Sequence, residues 1–225
     1  MGEAIVSTIA LGLAVAIDPM RITAIILVLL SDRARRAGPL FLIGYVGGLT
    51  AVTGIGLLLT DPVDFGRPSK PSTTATVLIA SLGLMILGMA TWVWTNRPLP
   101  GDEPELPRWL HSVVSLPPIL AAGLGLALSV VSFKNLGLII SVVVLISQAN
   151  ISVAQEVVLL FVFVFVGSLG IGIPVVWYFH AGDNAPATLT RWKNWLTLHN
   201  AKIVSGSLAF FGLLLLGRSA VHWFG

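Results

Sequence analysis

Six apolar runs leave this chain little choice of solvent. They cover roughly residues 5–30, 38–60, 75–95, 118–147, 154–179 and 201–223 of 225. Each reaches about 20 residues or more, enough at ~1.5 Å per residue to cross a hydrocarbon core of ~30 Å. The composition agrees: 56% of residues are hydrophobic and only 10% charged, where a soluble domain carries about a quarter charged. A surface this apolar is covered by lipid rather than water. The chain opens Met1-Gly2-Glu3, with an acid where an export signal carries cations. Its apolar run then continues through Asp18 and Arg21 to Leu30, so it reads as a retained first span.

The loops orient the spans. They comprise Ser31–Arg36, the Pro-rich Asp61–Ser72, the polar Asn96–Pro107, the short Gln148–Asn150 and Ala181–Asn200. The odd-numbered loops hold Arg33, Arg35, Arg36, Arg97, Arg108, Arg191, Lys193 and Lys202, eight cations against three (Arg67, Lys70 and Arg218) on the other side. Cationic loops stay in the cytoplasm, which puts both termini outside. That dispersal also reads the formal charge of +3 as a topology signal, and no nucleic acid is expected as a partner. The last loop interleaves Leu189, Trp192, Trp195, Leu196 and Leu198 with Arg191 and Lys193, so about residues 186–198 are expected to form an amphipathic helix in the headgroup region.

The halves resemble each other. Leu13–Ser31 lies on Ser129–Ser147 without a gap, and Gly83–Gly88 in the third run echoes Gly212–Gly217 in the sixth. The expected fold is therefore an all-α membrane protein of six transmembrane helices in a 3+3 inverted repeat, N-out and C-out. Residues 1–95 form the first repeat, 96–117 a cytoplasmic linker and 118–225 the second repeat.

Charge inside the apolar runs points to function. Asp18-Pro19-Met20-Arg21 falls near the middle of the first run and Lys134-Asn135 near the middle of the fourth, with Asp18 and Lys134 at the same overlay position. Each such charge costs about 2.5–3.5 kcal/mol at a helix centre, so all three must pair or face a wet cavity. Pro19 lacks a donor and disfavours helical geometry at Asp18. Asn135 and Gly137 weaken the helix at the matching place. Asp18 with Arg21 and Lys134 sums to about +1, which suits a carboxylate, sulfate or phosphate head and disfavours divalent cations. Asp18, Arg21, Lys134 and Asn135 are thus the candidate substrate-binding residues. The bland alternative makes Asp18 a structural staple that neutralises its cations.

Glycine threads the second and fifth runs. Gly44 and Gly48 have a spacing that permits close helix approach. Pro19, Gly47, Gly48, Gly170, Gly172 and Pro174 are the candidate gating or hinge residues. Glu156, Gln148 and Asn150 read as a wetted helix end, and His180 with Asp183 as an interfacial pair. With zero cysteines there is no thiolate chemistry, and no metal-ligating spacing or nucleophile–base constellation is visible. Neither an enzyme nor a cofactor is expected.

The run Ala14-Val15-Ala16-Ile17-Asp18-Pro19-Met20-Arg21, its aliphatic continuation, the short basic loop and the Gly-rich second run resemble the peptidoglycolipid-addressing protein family. Ser132-Phe133-Lys134-Asn135-Leu136 adds to the likeness. That family includes the sulfolipid-addressing proteins of actinobacterial cell envelopes and belongs to the lysine-exporter superfamily. The resemblance implies export of glycolipids or their precursors across the bacterial inner (plasma) membrane, in concert with envelope-lipid synthesis. The superfamily's amino-acid exporters open their fourth span with an Asn-Pro-Lys-like motif, where this chain has Phe133-Lys134-Asn135 and no proline. Its thiol-transferring members need intramembrane cysteines, and its metal transporters use acids in both halves, where this chain offers Lys134.

The expected function is therefore export or flipping of a glycolipid or similar amphipath with an anionic or polar head. A small-solute exporter for amino acids or organic anions is one alternative; a non-transporting scaffold for envelope-lipid synthesis is another. Candidate partners are membrane lipids, the amphipathic substrate, an envelope-lipid synthase or larger exporter, and a second copy of the chain.

Overall fold

A computed structural model describes residues 2–60, 73–97, 110, 113–131, 133–147, 149 and 151–224. Among them there are helices and no strand. In chain order the long helices are α1 (Gly2–Ala16), α2 (Pro19–Leu29), α3 (Ala34–Thr60), α4 (Thr73–Thr95), α5 (Pro118–Val130), α6 (Phe133–Ser147), α7 (Val153–Ala181) and α8 (Ala185–Phe224). A 3-10 turn at Gly182–Asn184 joins the last two.

The first and fourth apolar runs are broken helices. The axis bends by 59° between α1 and α2, and by 66° between α5 and α6. At α1/α2 the cause is local. Asp18 is extended (φ −136°, ψ 102°) ahead of Pro19 at the first helical position, as the pre-proline restriction and the missing proline donor dictate. With 15 and 11 residues, α1 and α2 reach only about 22 and 16 Å. Neither crosses the apolar layer alone, so a bent pair that crosses does so as one span with its break inside. By length and composition the described residues hold two candidate membrane spans, α3 and the stretch through α7, or up to four if each bent pair counts as one.

Two loops are shorter than the sequence suggests. Arg35 and Arg36 already lie in the first turn of α3. The expected 186–198 helix is not a separate element: it runs without interruption into the last apolar run as the 40-residue α8. The chain breaks instead at Gly182, whose φ of +52° suits a residue without a Cβ. The expected loop at 61–72 lies outside the described residues, as does that at 96–107 apart from Asn96 and Arg97.

The chain forms two compact units. One holds residues 1–65 and 106–194, and the other 66–105 and 195–225. In the larger unit α3 packs most extensively on α5, and α1 on α7. Glycines set both contacts. A Cβ at Gly44 would collide with the Ala122 carbonyl, one at Gly125 with the Phe41 carbonyl, and one at Gly170 with the Ala16 carbonyl, while Gly48 abuts Ser129. The close approach expected of Gly44 and Gly48 is observed. Facing positions rise together along both chains: Gly44 meets Ala122 and Gly48 meets Leu126, while Gly12 meets Phe163 and Gly170 meets Ala16. Both pairs of helices are therefore parallel.

Burial completes the case for a lipid solvent. Phe41, Tyr45, Leu49 and Thr53 bury one stripe of α3, four residues apart, while Ile43, Ile55 and Leu58 stand exposed on the same helix. Ala24 to Leu29 of α2 are buried all round. Outward faces made of Ile, Leu and Phe are stable in hydrocarbon, not in water.

Candidate functional site

The break after α1 builds a polar knot in an apolar surround. Asp18 caps α2, its Oδ1 accepting the N–H groups of Met20 at 3.2 Å and Arg21 at 3.4 Å. That places the carboxylate on the positive end of the helix. Its Oδ2 meets Nη2 of Arg21, one turn on, at 3.2 Å. Arg21 is only 4% exposed. Its Nη1 donates to the Tyr45 hydroxyl at 2.9 Å, and its guanidinium lies 5.9 Å from the centre of that ring.

Tyr45 joins the two broken helices. Asn135, from the first turn of α6, neighbours the same hydroxyl. Asn135 is fully buried, and its Nδ2 donates to the Ser129 carbonyl at 3.4 Å across the α5/α6 break. Arg21 and Asn135 are each the third residue of their helix, so two helix N-termini converge on one phenol. The sequence reading missed Tyr45, although a tyrosine inside an apolar run must find a partner for its hydroxyl.

Two buried polar atoms of the knot lack a hydrogen bond: Arg21 Nη2 and Asn135 Oδ1. Nη2 does touch Asp18, but only as an ion pair, since its N–H is not directed at the carboxylate. Among the described residues the knot thus presents one acceptor without a partner, Asn135 Oδ1, at a cost of about 1–3 kcal/mol, and one donor, Arg21 Nη2, held only by its ion pair.

Of the expected site residues, Asp18, Arg21 and Asn135 are brought together around Tyr45. Lys134 takes its place in the first turn of α6, and its side chain lies outside the described residues. Pro19 is the first residue of α2. Gly47 and Gly172 face open space, whereas Gly48 and Gly170 fill close approaches. α7 continues unbroken through Gly170, Gly172 and Pro174. Among the described residues no group of three or more His, Asp or Glu side chains could hold a metal ion.

A buried charged knot at the junction of interrupted apolar helices, behind outward faces of Ile, Leu and Phe, marks a membrane protein. Within that class the affiliation is specific: the chain belongs to the family described as Sap, sulfolipid-1-addressing protein, whose model matches residues 8–220. Comparison with curated proteins and with solved structures gives no match.

Proposed function

We propose that this protein carries an amphipathic lipid with a hydroxylated, anionic head across the bacterial inner membrane, the head passing through the Asp18–Arg21–Tyr45–Asn135 knot. The observation that carries this reading is the pair of buried atoms in the knot without a hydrogen bond among the described residues. Arg21 Nη2 offers a charged donor and Asn135 Oδ1 an acceptor; a sulfated or acidic sugar head supplies an oxyanion for the first and a hydroxyl for the second. Lys134 adds a second cation in the same turn as Asn135. Asp18 gates the site: it holds Arg21 when no head is bound and yields to the incoming oxyanion. The family's description names a sulfolipid, which agrees with such a head.

The carrier is read as six spans in two inverted repeats. The overlay that lays Leu13 on Ser129 carries Gly2 onto Pro118, the first residue of α5, and Pro19 onto Asn135 at the start of α6. Exchanging the halves turns the α3–α5 contact into the α7–α1 contact, and these are the two most extensive in the larger unit. The parallel packing of α3 and α5 adds a topological argument. Parallel spans require an odd number of crossings between them, and α4, at 23 residues and about 34 Å, is long enough to supply it. With the cation-rich loops inside, both termini are outside. Rocking of the halves about the second and fifth spans exposes the knot to each side in turn.

Reconstitution in liposomes tests this reading. A sulfated glycolipid with a fluorescent head is scored by its protection from an impermeant quencher. Lys134→Ala and Arg21→Gln should abolish transfer while the proteins remain inserted. Unchanged transfer in both variants removes the proposal. Uptake of soluble organic anions without any lipid transfer would favour a small-solute exporter.

A further inference from the structure

Beside the knot, α3 and α7 enclose a groove of about 810 Å³, within the ~300–1,000 Å³ of ligand pockets. Its walls are apolar, among them Leu42 and Val46 of α3 and Phe165 and Trp177 of α7. It follows α7 from Phe161 to His180, which at 1.5 Å per residue is about 28 Å, nearly the depth of the hydrocarbon layer. An extended lipid chain, reaching about half that depth, fits lengthwise.

One wall group does not belong in an apolar groove. Ser168 lines it, is 7% exposed, and its Oγ makes no hydrogen bond. Ser129, Ser141, Ser147 and Ser207 all donate back to a carbonyl of their own helix, the usual resolution for a helical serine in an apolar setting. Ser168 lacks that bond among the described residues, which leaves a buried hydroxyl without a partner in the wall of the groove. Its level is fixed: two residues on, Gly170 rests on the Ala16 carbonyl, two residues before Asp18. On α3, Val46 of the groove adjoins Tyr45 of the knot.

We infer that the α3/α7 groove is an acyl-chain site, in which Ser168 donates to the ester carbonyl of a lipid whose head occupies the Arg21–Tyr45 knot. The assignment to the transported lipid rests on the reading proposed above. The chain lies along Leu42, Val46 and Phe165, and the ester oxygen sits at the depth of the α1/α2 break, just below the head.

The test uses the full-length protein in lipid nanodiscs and a diacylglycerol carrying a photoactivatable diazirine in one chain, a probe without a charged head. Crosslinks should concentrate on Val164, Ser168, Gly172 and their neighbours in the groove. A side chain at Gly172 meets nothing within 4 Å, so Gly172→Trp should insert, fill the groove and remove that labelling. Ser168→Ala, which changes no packing, should weaken half-saturation roughly three- to tenfold, one hydrogen bond's worth.

Crosslinks spread evenly over the outward residues of α7, unchanged in Gly172→Trp and Ser168→Ala, overturn the groove site even if transfer still depends on Arg21. Groove labelling with transfer indifferent to Arg21 keeps the chain site and removes the head site.

Discussion

The sharpest quantitative expectation concerns Tyr45→Phe. This change deletes one oxygen and keeps the ring, so the ring's contact with Arg21 and the shape of the buried α3 stripe survive. What is lost is the acceptor for Nη1, at 2.9 Å and out of reach of water. A neutral interhelical hydrogen bond in a membrane protein averages about 0.6 kcal/mol, whereas one to a charged group is worth about 1.5–3 kcal/mol. The second figure applies, because Arg21 already has one nitrogen without a hydrogen bond and cannot shed its proton. Tyr45→Phe should therefore cost about 1.5–3 kcal/mol, roughly a 10- to 150-fold change in the folding equilibrium.

The control is the same change in an Arg21→Met background. There the hydroxyl has lost its charged donor, and Tyr45→Phe should cost no more than about 0.6 kcal/mol. Reversible unfolding in mixed detergent micelles, followed by tryptophan emission, measures all four corners of the cycle. Equal costs in the two backgrounds, or a wild-type cost below about 0.6 kcal/mol, would refute the idea that Tyr45 holds the guanidinium.

Three further outcomes follow from the geometry. Asp18→Asn should keep the cap on Met20 and Arg21 while removing the charge, whereas Asp18→Ala loses both; the difference in unfolding free energy should be about 0.5–2 kcal/mol. Gly44→Ala and Gly125→Ala drive a methyl into a facing backbone carbonyl and should each lower stability by about 1–3 kcal/mol, while Gly47→Ala, with open space ahead of it, should hold or raise stability by up to about 1 kcal/mol in the same assay. Because the chain has no cysteine, single cysteines report topology directly: positions 3, 67 and 149 should react with an impermeant maleimide from outside, and positions 33, 101 and 183 only after lysis.

How much of this was legible in the sequence depended on where the cause of each feature lay. The α1/α2 break is written in Asp18-Pro19, because the restriction acts on adjacent residues. The α5/α6 break has no proline to announce it; the overlay with the first half and the helix-weakening Asn135 and Gly137 pointed there. Tyr45 escaped notice because Phe41, Tyr45 and Leu49 read as a plain apolar stripe; its role exists only once α2 and α6 bring Arg21 and Asn135 to it. The boundary expected before the last run had no local cause at all. Hydropathy changes near residue 200, but from Thr188 to Ser205 the chain contains no proline or glycine, so α8 continues where the polarity shifts. The real stop, Gly182, lies upstream, where backbone geometry demands it.

The two N-termini that meet at Tyr45 are electrically unequal. At α2 the positive end of the helix carries its own carboxylate, with Asp18 accepting two backbone N–H groups and touching Arg21. At α6 the first turn contains no acid and carries Lys134, a cation on a positive helix end, which is unfavourable by about 0.3–1 kcal/mol where an acid would help by as much. Positions that the sequence overlay pairs, Asp18 and Lys134, thus hold opposite charges on ends of the same sign. Had both been acids, the junction would be satisfied from within and repel an anion; had both been bases, nothing would hold it together in an empty carrier. With one of each, the first half closes on itself, and in the carrier proposed above a negative group from outside would complete the second. In the carrier proposed above, Arg21, ion-paired with Asp18, is the residue over which Asp18 and the incoming head would compete, which would let the fold both exist without cargo and release it.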